Sequence, residues 1–208
     1  MEKLTLDFTE CNLPDLDKLF DLRWVRPLPA LNDWLSLATP ISISDYEQTA
    51  CSNLKKLLDL NAFHWREQDL SLHFIGPMFS LINFTEPYRY NLFAQRPLQS
   101  TFIDTKGRTV DLMGRPDEIL ASGYGNPETP YFAFNEFKKE VESKGDPAGQ
   151  VLAAMLVGQA LNENHTPIYG CYVLGRDWYF LVLKKIKRTA LVEDLMVQPM
   201  TFLIFSRY

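Results

Sequence analysis

The chain has 208 residues, 46% hydrophobic and 23% charged, which suits one compact domain, or one domain with a small extension, able to bury a sizeable core. Cys11, Cys51 and Cys171 are scattered and form no C-x-x-C pair or His/Cys cluster, arguing against a zinc site or disulfide framework and fitting reduced thiols. A net charge of −5 argues against a broad DNA-coating surface, although carboxylates gathered in a narrow metal-holding cleft would add to the same negative total.

Residues 1–10 mix charged and apolar side chains without a signal-peptide core. No apolar run approaches the roughly 18–20 residues that span a bilayer. A soluble cytoplasmic protein with no membrane partner is expected. Residues 27–40, rich in Pro, Ala, Leu and Ser, read as a surface wrap between an N-terminal extension (1–43) and the main domain (44–208). Ser44 precedes a helical pattern to about residue 60, with Cys51, Leu54 and Leu58 along one side. A second helix fits 66–81, where Leu70, Phe74, Ile75, Met78 and Leu81 make the apolar stripe. Pro77 should kink or restart it.

From Leu98 the period becomes that of strands. Residues 98–103 and 109–113 flank the turn sequence Asp104-Thr105-Lys106-Gly107, and the second strand is expected to continue through Gly114-Arg115-Pro116-Asp117 to Ala121. A Gly- and Pro-rich loop (122–130) leads to an aromatic strand over 131–138. Asp146-Pro147 pairs an N-cap carboxylate with a first-turn proline, starting a helix that runs to about residue 162. Its Ala153, Ala154 and Gly158 let it lie close against a sheet. Residues 168–174 and 178–183 read as two strands around Gly175-Arg176-Asp177, the first apolar on both faces and therefore central. This order predicts an α/β fold with a central mixed β-sheet flanked by helices.

Glu136 and Lys138 lie two apart in a predicted strand, so both should leave one face of the sheet, where unpartnered charge is costly. The loop over 122–130 would let Asp117 come beside Glu136. Two close carboxylates repel and raise each other's pKa. A divalent cation removes that penalty, and hard oxygen donors suit Mg²⁺, with Mn²⁺ as the alternative ion. A neighbouring lysine would hold a water or offset developing negative charge, a set that suits metal-assisted hydrolysis of a phosphodiester. The acidic-x-Lys spacing alone is unspecific, since Asp104-x-Lys106 in a turn and Glu142-x-Lys144 in a polar loop also match, and Pro14-Asp15 repeats the Pro-Asp pair. Strand context separates Glu136 and Lys138 from these.

Gly114-Arg115-Pro116-Asp117, then Glu136-Phe137-Lys138, then a helix bearing Gln150, resembles the PD-(D/E)XK nuclease superfamily. Glu67 and Phe74-Ile75-Gly76-Pro77 are similar to the opening helix of the nuclease domain in type I restriction enzyme motor subunits. The resemblance covers about residues 67–183. It implies a restriction-endonuclease-like core (helix, three strands, helix, strand) acting on DNA with Mg²⁺. Asp117 and Glu136 would then bind metal and Lys138 would position the attacking water. Glu67 would add a metal ligand, and Gln150 would touch the active site or nucleic acid.

Glu67 shares a helical face with Leu70 and Phe74 and should point inward. Glu47, beside Cys51 and Leu54, is its rival, with a first-turn role at the helix dipole as its plain explanation. For Gln150 the plain explanation is a helix-start residue bonded to the backbone. His64, His73 and His165 lack metal-ligand spacing, and Gly123-Tyr124-Gly125 lacks the strand-then-helix context of a dinucleotide site. Neither Gly-x-Ser-x-Gly nor a P-loop occurs. Arg89, Arg96, Arg108 and Arg115 are either phosphate contacts or solvated charges. Tyr131, Phe132, Phe134, Trp178, Tyr179 and Phe180 alternate as core residues, a base-stacking platform being the lesser alternative. The expected function is Mg²⁺-dependent DNA hydrolysis, and its rival is a non-catalytic interaction module on the same scaffold. With no motor or specificity domain in the sequence, a homodimer or a partner protein is expected. The apolar stretch 201–208 fits a strand, an interface or a tail.

Overall fold

The computed structural model describes residues 3–24, 29–37, 41–86, 89–138, 145–162, 167–186 and 189–197, with the backbone alone described for 24, 30–31, 34–35, 130–136, 185–186 and 189–197. In chain order these form β1 (Lys3–Asp7), a 3₁₀ turn (Phe8–Glu10), α1 (Leu13–Phe20), β2 (Arg23–Trp24), α2 (Pro29–Ser36) and α3 (Asp45–Asn61). There follow α4 (Glu67–Leu70), a π turn (Ser71–Ile75), α5 (Gly76–Phe79), β3 (Asn91–Ala94), β4 (Leu98–Ile103), β5 (Thr109–Gly114), β6 (Glu118–Ala121) and β7 (Pro130–Lys138). The last elements are α6 (Pro147–Leu161), β8 (Ile168–Leu174), β9 (Asp177–Ile186) and β10 (Thr189–Val197). The fold is mixed α/β, as the element order predicts.

A single antiparallel hairpin joins two sheets. β4 pairs with β5 in a three-stranded sheet ordered β1-β5-β4, while β3 pairs with β6 at the edge of a seven-stranded sheet ordered β2-β10-β9-β8-β7-β6-β3. The register carries through: Ala94 faces Glu118, Leu98 faces Gly114, and three residues on each strand lie between. Those gaps hold Pro97 and Pro116, one on each strand, and proline offers no N–H to a ladder. The continuous strand expected from 109 to 121 is therefore two strands in two sheets. Asp117 stands in the break.

At the far end of the hairpin Asp104 fixes the turn. Its carboxylate accepts from the N–H groups of Lys106 (2.9 Å) and Arg108 (2.8 Å), and Gly107 takes the left-handed φ of 76° that the turn needs.

β8 occupies the centre of the larger sheet, as its two apolar faces require, and runs parallel to β7 through the α6 crossover. The Asp146 side chain caps α6 by accepting from Gly149 N–H at 3.1 Å, and its other oxygen accepts from Leu13 N–H at 2.8 Å. Helix α6 is buried along almost its whole length, because it touches β7, β8 and β9 on one side and β4, β5, the 3₁₀ turn and α1 on the other. This placement explains its lack of a polar face. A Cβ on Gly149 would stand 2.5 Å from Asn12 Cα and 2.7 Å from Cys11 O, so the backbones meet there directly.

One core, with Val110, Leu112, Ile119, Leu152, Met155, Ile168 and Leu181, joins the two sheets through α6. Phe8 and Leu16, from the expected N-terminal extension, belong to this same core, and β1 pairs with β5. A second core, including Leu58, Leu70, Phe74, Ile75, Phe137, Val173 and Trp178, fills the opposite face of the larger sheet beneath α3 and the segment 67–79.

The surface wrap expected over 27–40 contains helix α2. The helix expected over 66–81 restarts at Pro77, which sits in the first turn of α5, and the preceding turn is in π register, Gly76 N–H donating to Ser71 O. Proline brings no N–H to the next turn and tolerates a helix start, so the extra residue is absorbed before it. The stretch 201–208 lies outside the described residues. Among the described residues no helix is long and apolar enough to cross a membrane.

Candidate active site at the bend

Asp117 is partly buried where the hairpin passes from one sheet to the other. Its Oδ2 accepts from Phe137 N–H at 2.8 Å, and its backbone carbonyl accepts from Gln95 N–H at 2.9 Å. β6 and β7 pair Glu118 with Asn135, so Asp117 lies one antiparallel step further, level with Glu136. The Glu136 backbone pairs with Tyr172 of β8, and its side chain lies outside the described residues.

Glu67 and Lys138 also meet here. Lys138 Nζ lies 3.5 Å from Glu67 Oε1; the lysine side chain is only 12% exposed, against 48% for the glutamate. Glu67 therefore sits at the cleft rim instead of pointing into the core. As the first residue of α4 it precedes the stripe set by Leu70 and Phe74, and its long stem reaches the lysine. Asp117 and Glu67 line one cleft of about 590 Å³, shared with Gln68, Ser71, Gln95 and Phe137.

Burial pushes the Asp117 carboxyl above the usual carboxylate range. The Phe137 N–H and the Lys138 charge pull it down, the Glu67 charge pushes it up, and a hydrogen bond from the Gln95 side chain pulls it down again; the net direction is upward. This is the electrostatic state that a cation relieves. Two hard oxygen donors line one cleft, and the Glu67 charge penalises that of Asp117, so the pair has the donor chemistry that suits a divalent ion such as Mg²⁺. Among the described residues no three His, Cys, Asp or Glu side chains form one ligand cluster, and Glu136 is the third candidate donor.

The remaining candidates fall elsewhere. Glu47 closes a capping box, accepting from Ser44 N–H at 2.7 Å, and the Ser44 hydroxyl and N–H hold its carboxyl below the usual range. Gln150 is buried in the first turn of α6, beside Gly145, outside the lining of this cleft, and its Oε1 has no hydrogen-bond partner. Arg108 pairs with Asp104 and Arg89 with Glu86, each at 2.8 Å, whereas Arg96 and Arg115 are exposed on the two strands of the bend. Trp178 and Phe180 belong to the second core, and the Tyr172 and Tyr179 rings stack at 4.5 Å. Glu142, Lys144 and His165, and the side chains of Tyr131, Phe132 and Phe134, lie outside the described residues.

Gln95 carries no motif, yet its backbone N–H meets the Asp117 carbonyl and both residues line the same cleft. The available signal is indirect: Pro97 two residues on and Pro116 on the facing strand mark the ladder break. Neither a scan of the chain against protein-family models nor a search of curated proteins finds a match.

Proposed function

We propose that this chain is a Mg²⁺-dependent nuclease of PD-(D/E)XK type that hydrolyses DNA phosphodiester bonds in the cytoplasm. The observation that carries this reading is the meeting at one cleft of Asp117, held by the Phe137 N–H, and Glu67, whose carboxylate lies 3.5 Å from Lys138 Nζ. On this reading the restriction-endonuclease-like core is α4–α5, the two arms of the hairpin, β7, α6 and β8. Asp117 and Glu67, with Glu136, would hold Mg²⁺ or Mn²⁺. When bound, the ion supplies Lewis-acid charge at a phosphoryl oxygen and lowers the pKa of water. Lys138, paired with Glu67, would orient the attacking water and offset the charge that develops on phosphorus oxygens. Arg96 and Arg115, exposed at the bend, are the candidate phosphate contacts, and Gln150 is assigned no step. Cutting both strands of a duplex would call for a homodimer or a partner protein.

A non-catalytic interaction module on the same scaffold is the second reading, favoured by the net charge of −5. Incubation of linear and circular DNA with Mg²⁺ separates them. Under the first reading the wild type cuts, and Asp117→Ala and Lys138→Ala each lose about 10²–10³-fold, the scale of one electrostatic contact to the transition state, while still folding. Undiminished cleavage in both variants removes the mechanism. No cleavage by any form, with a protein partner recovered stoichiometrically, selects the module.

A further inference from the structure

Gln95 has a backbone φ of 49°, in the left-handed region that L-residues avoid. Asp21, with φ 50°, shares this feature but ends helix α1, where an aspartate is at ease. Gln95 has no such excuse: it ends β3 in the bend, where glycine or asparagine would adopt the same backbone at less cost. Strained residues persist where surrounding contacts over-determine them. The contacts here converge on Asp117, since Gln95 N–H donates to its carbonyl at 2.9 Å and both residues line the same cleft. A glycine would keep the N–H and lose the side-chain amide.

We propose that Gln95 is a positioning residue for Asp117, a clamp across the bend that spends backbone strain to hold the carboxylate on the Phe137 N–H and facing the cleft. Its role in hydrolysis rests on the nuclease reading above; the clamp itself does not.

The test uses the full chain as wild type, Gln95→Gly, Gln95→Asn and Asp117→Asn. Gln95→Gly should melt no lower than wild type, because it relieves strain. Its Phe137 amide should nevertheless exchange with solvent about tenfold faster, as that bond loses its anchor. Titration with Mn²⁺ alone should show weaker binding, and kcat for DNA cleavage should fall about tenfold with KM within about twofold. Gln95→Asn, which keeps an amide and tolerates the left-handed backbone, should recover part of both losses. Unchanged Phe137 exchange in Gln95→Gly overturns the clamp whatever the activity, and a rise in KM at constant kcat overturns it in favour of a direct DNA contact. Faster Phe137 exchange in a protein whose wild type neither binds Mn²⁺ nor cuts DNA upholds the clamp and removes the nuclease reading instead.

Discussion

Asp104 and Asp117 flank the same β4–β5 ladder, one at its turn and one at its bend, yet their carboxylates are in opposite states. Burial would push the Asp104 carboxyl up, but the N–H groups of Arg108 and Lys106 and the Arg108 guanidinium outweigh it and hold it below the usual range. Burial outweighs the one backbone N–H and the Lys138 charge that favour the Asp117 carboxylate, the Glu67 charge adds to it, and the carboxyl is left raised. A structural carboxylate is saturated with donors from its own loop. The other is kept short of donors and facing a cleft, the condition in which a ligand can complete it.

The largest expected effect separates the two in catalysis. Asp117→Asn should lose about 10²–10³-fold in Mg²⁺-dependent cleavage, whereas Asp104→Asn, assayed well below its melting temperature, should keep the wild-type rate per folded molecule. Equal losses in both would erase the distinction. Next in size is the response to a divalent cation. At about 100 times its Kd, Mg²⁺ should stabilise the wild type by about 2.7 kcal/mol; a thermal scan should show that upshift in Asp104→Asn and not in Asp117→Asn.

Smaller effects concern pH without metal, and their signs oppose each other. A carboxyl lowered in the folded state adds stability above its unfolded pKa, lost as pH falls through the folded value, so Asp104→Asn should melt below wild type at neutral pH and converge in acid. A carboxyl raised in the folded state costs stability once pH exceeds its unfolded value of about 3.9. Asp117→Asn should therefore melt above wild type at neutral pH, by about 2–4 °C for each kcal/mol relieved, and converge with it in acid. An Asp117→Asn curve below wild type at pH 7 would reverse the sign argued here. Smallest of all, Glu67→Gln should change metal-free stability by no more than about 1 kcal/mol, since the glutamate is half-exposed. Its effect should appear in Mn²⁺ titration instead.

The elements that surround the site were largely legible because their signals are local. Strand alternation gives β4, and the Asp146-Pro147 pair gives the start of α6. The Asp104 turn closes its own hairpin within a few residues. What escaped is non-local. β1 pairs in parallel with β5 about a hundred residues later, and nothing within Lys3–Asp7 marks that partner. β3 and β10 were missed as strands, and α2 as a helix, since burial against distant elements decides them. At the site, the alignment of Asp117 with Glu136 follows the strand context, whereas the pairing of Lys138 with Glu67 joins a strand to a distant helix and has no local signal. Gln95 escaped as well, because its signal is a backbone angle created where two prolines break facing strands.

The π turn over Ser71–Ile75 has a consequence for how this segment tolerates change in length. A π turn is an α-helix carrying one residue too many, and α-helical residues advance by about 100° each. The wide turn takes up that extra residue, so deleting Leu72 or His73 would restore ordinary helix geometry and leave Glu67 close to its present direction relative to Phe74 and Ile75, which the core holds fixed. The segment can exchange side chains at Leu72 or His73, both exposed, with little cost. It cannot gain a further position so easily, since one more residue in ordinary helix geometry would turn Glu67 about 100° away from Lys138.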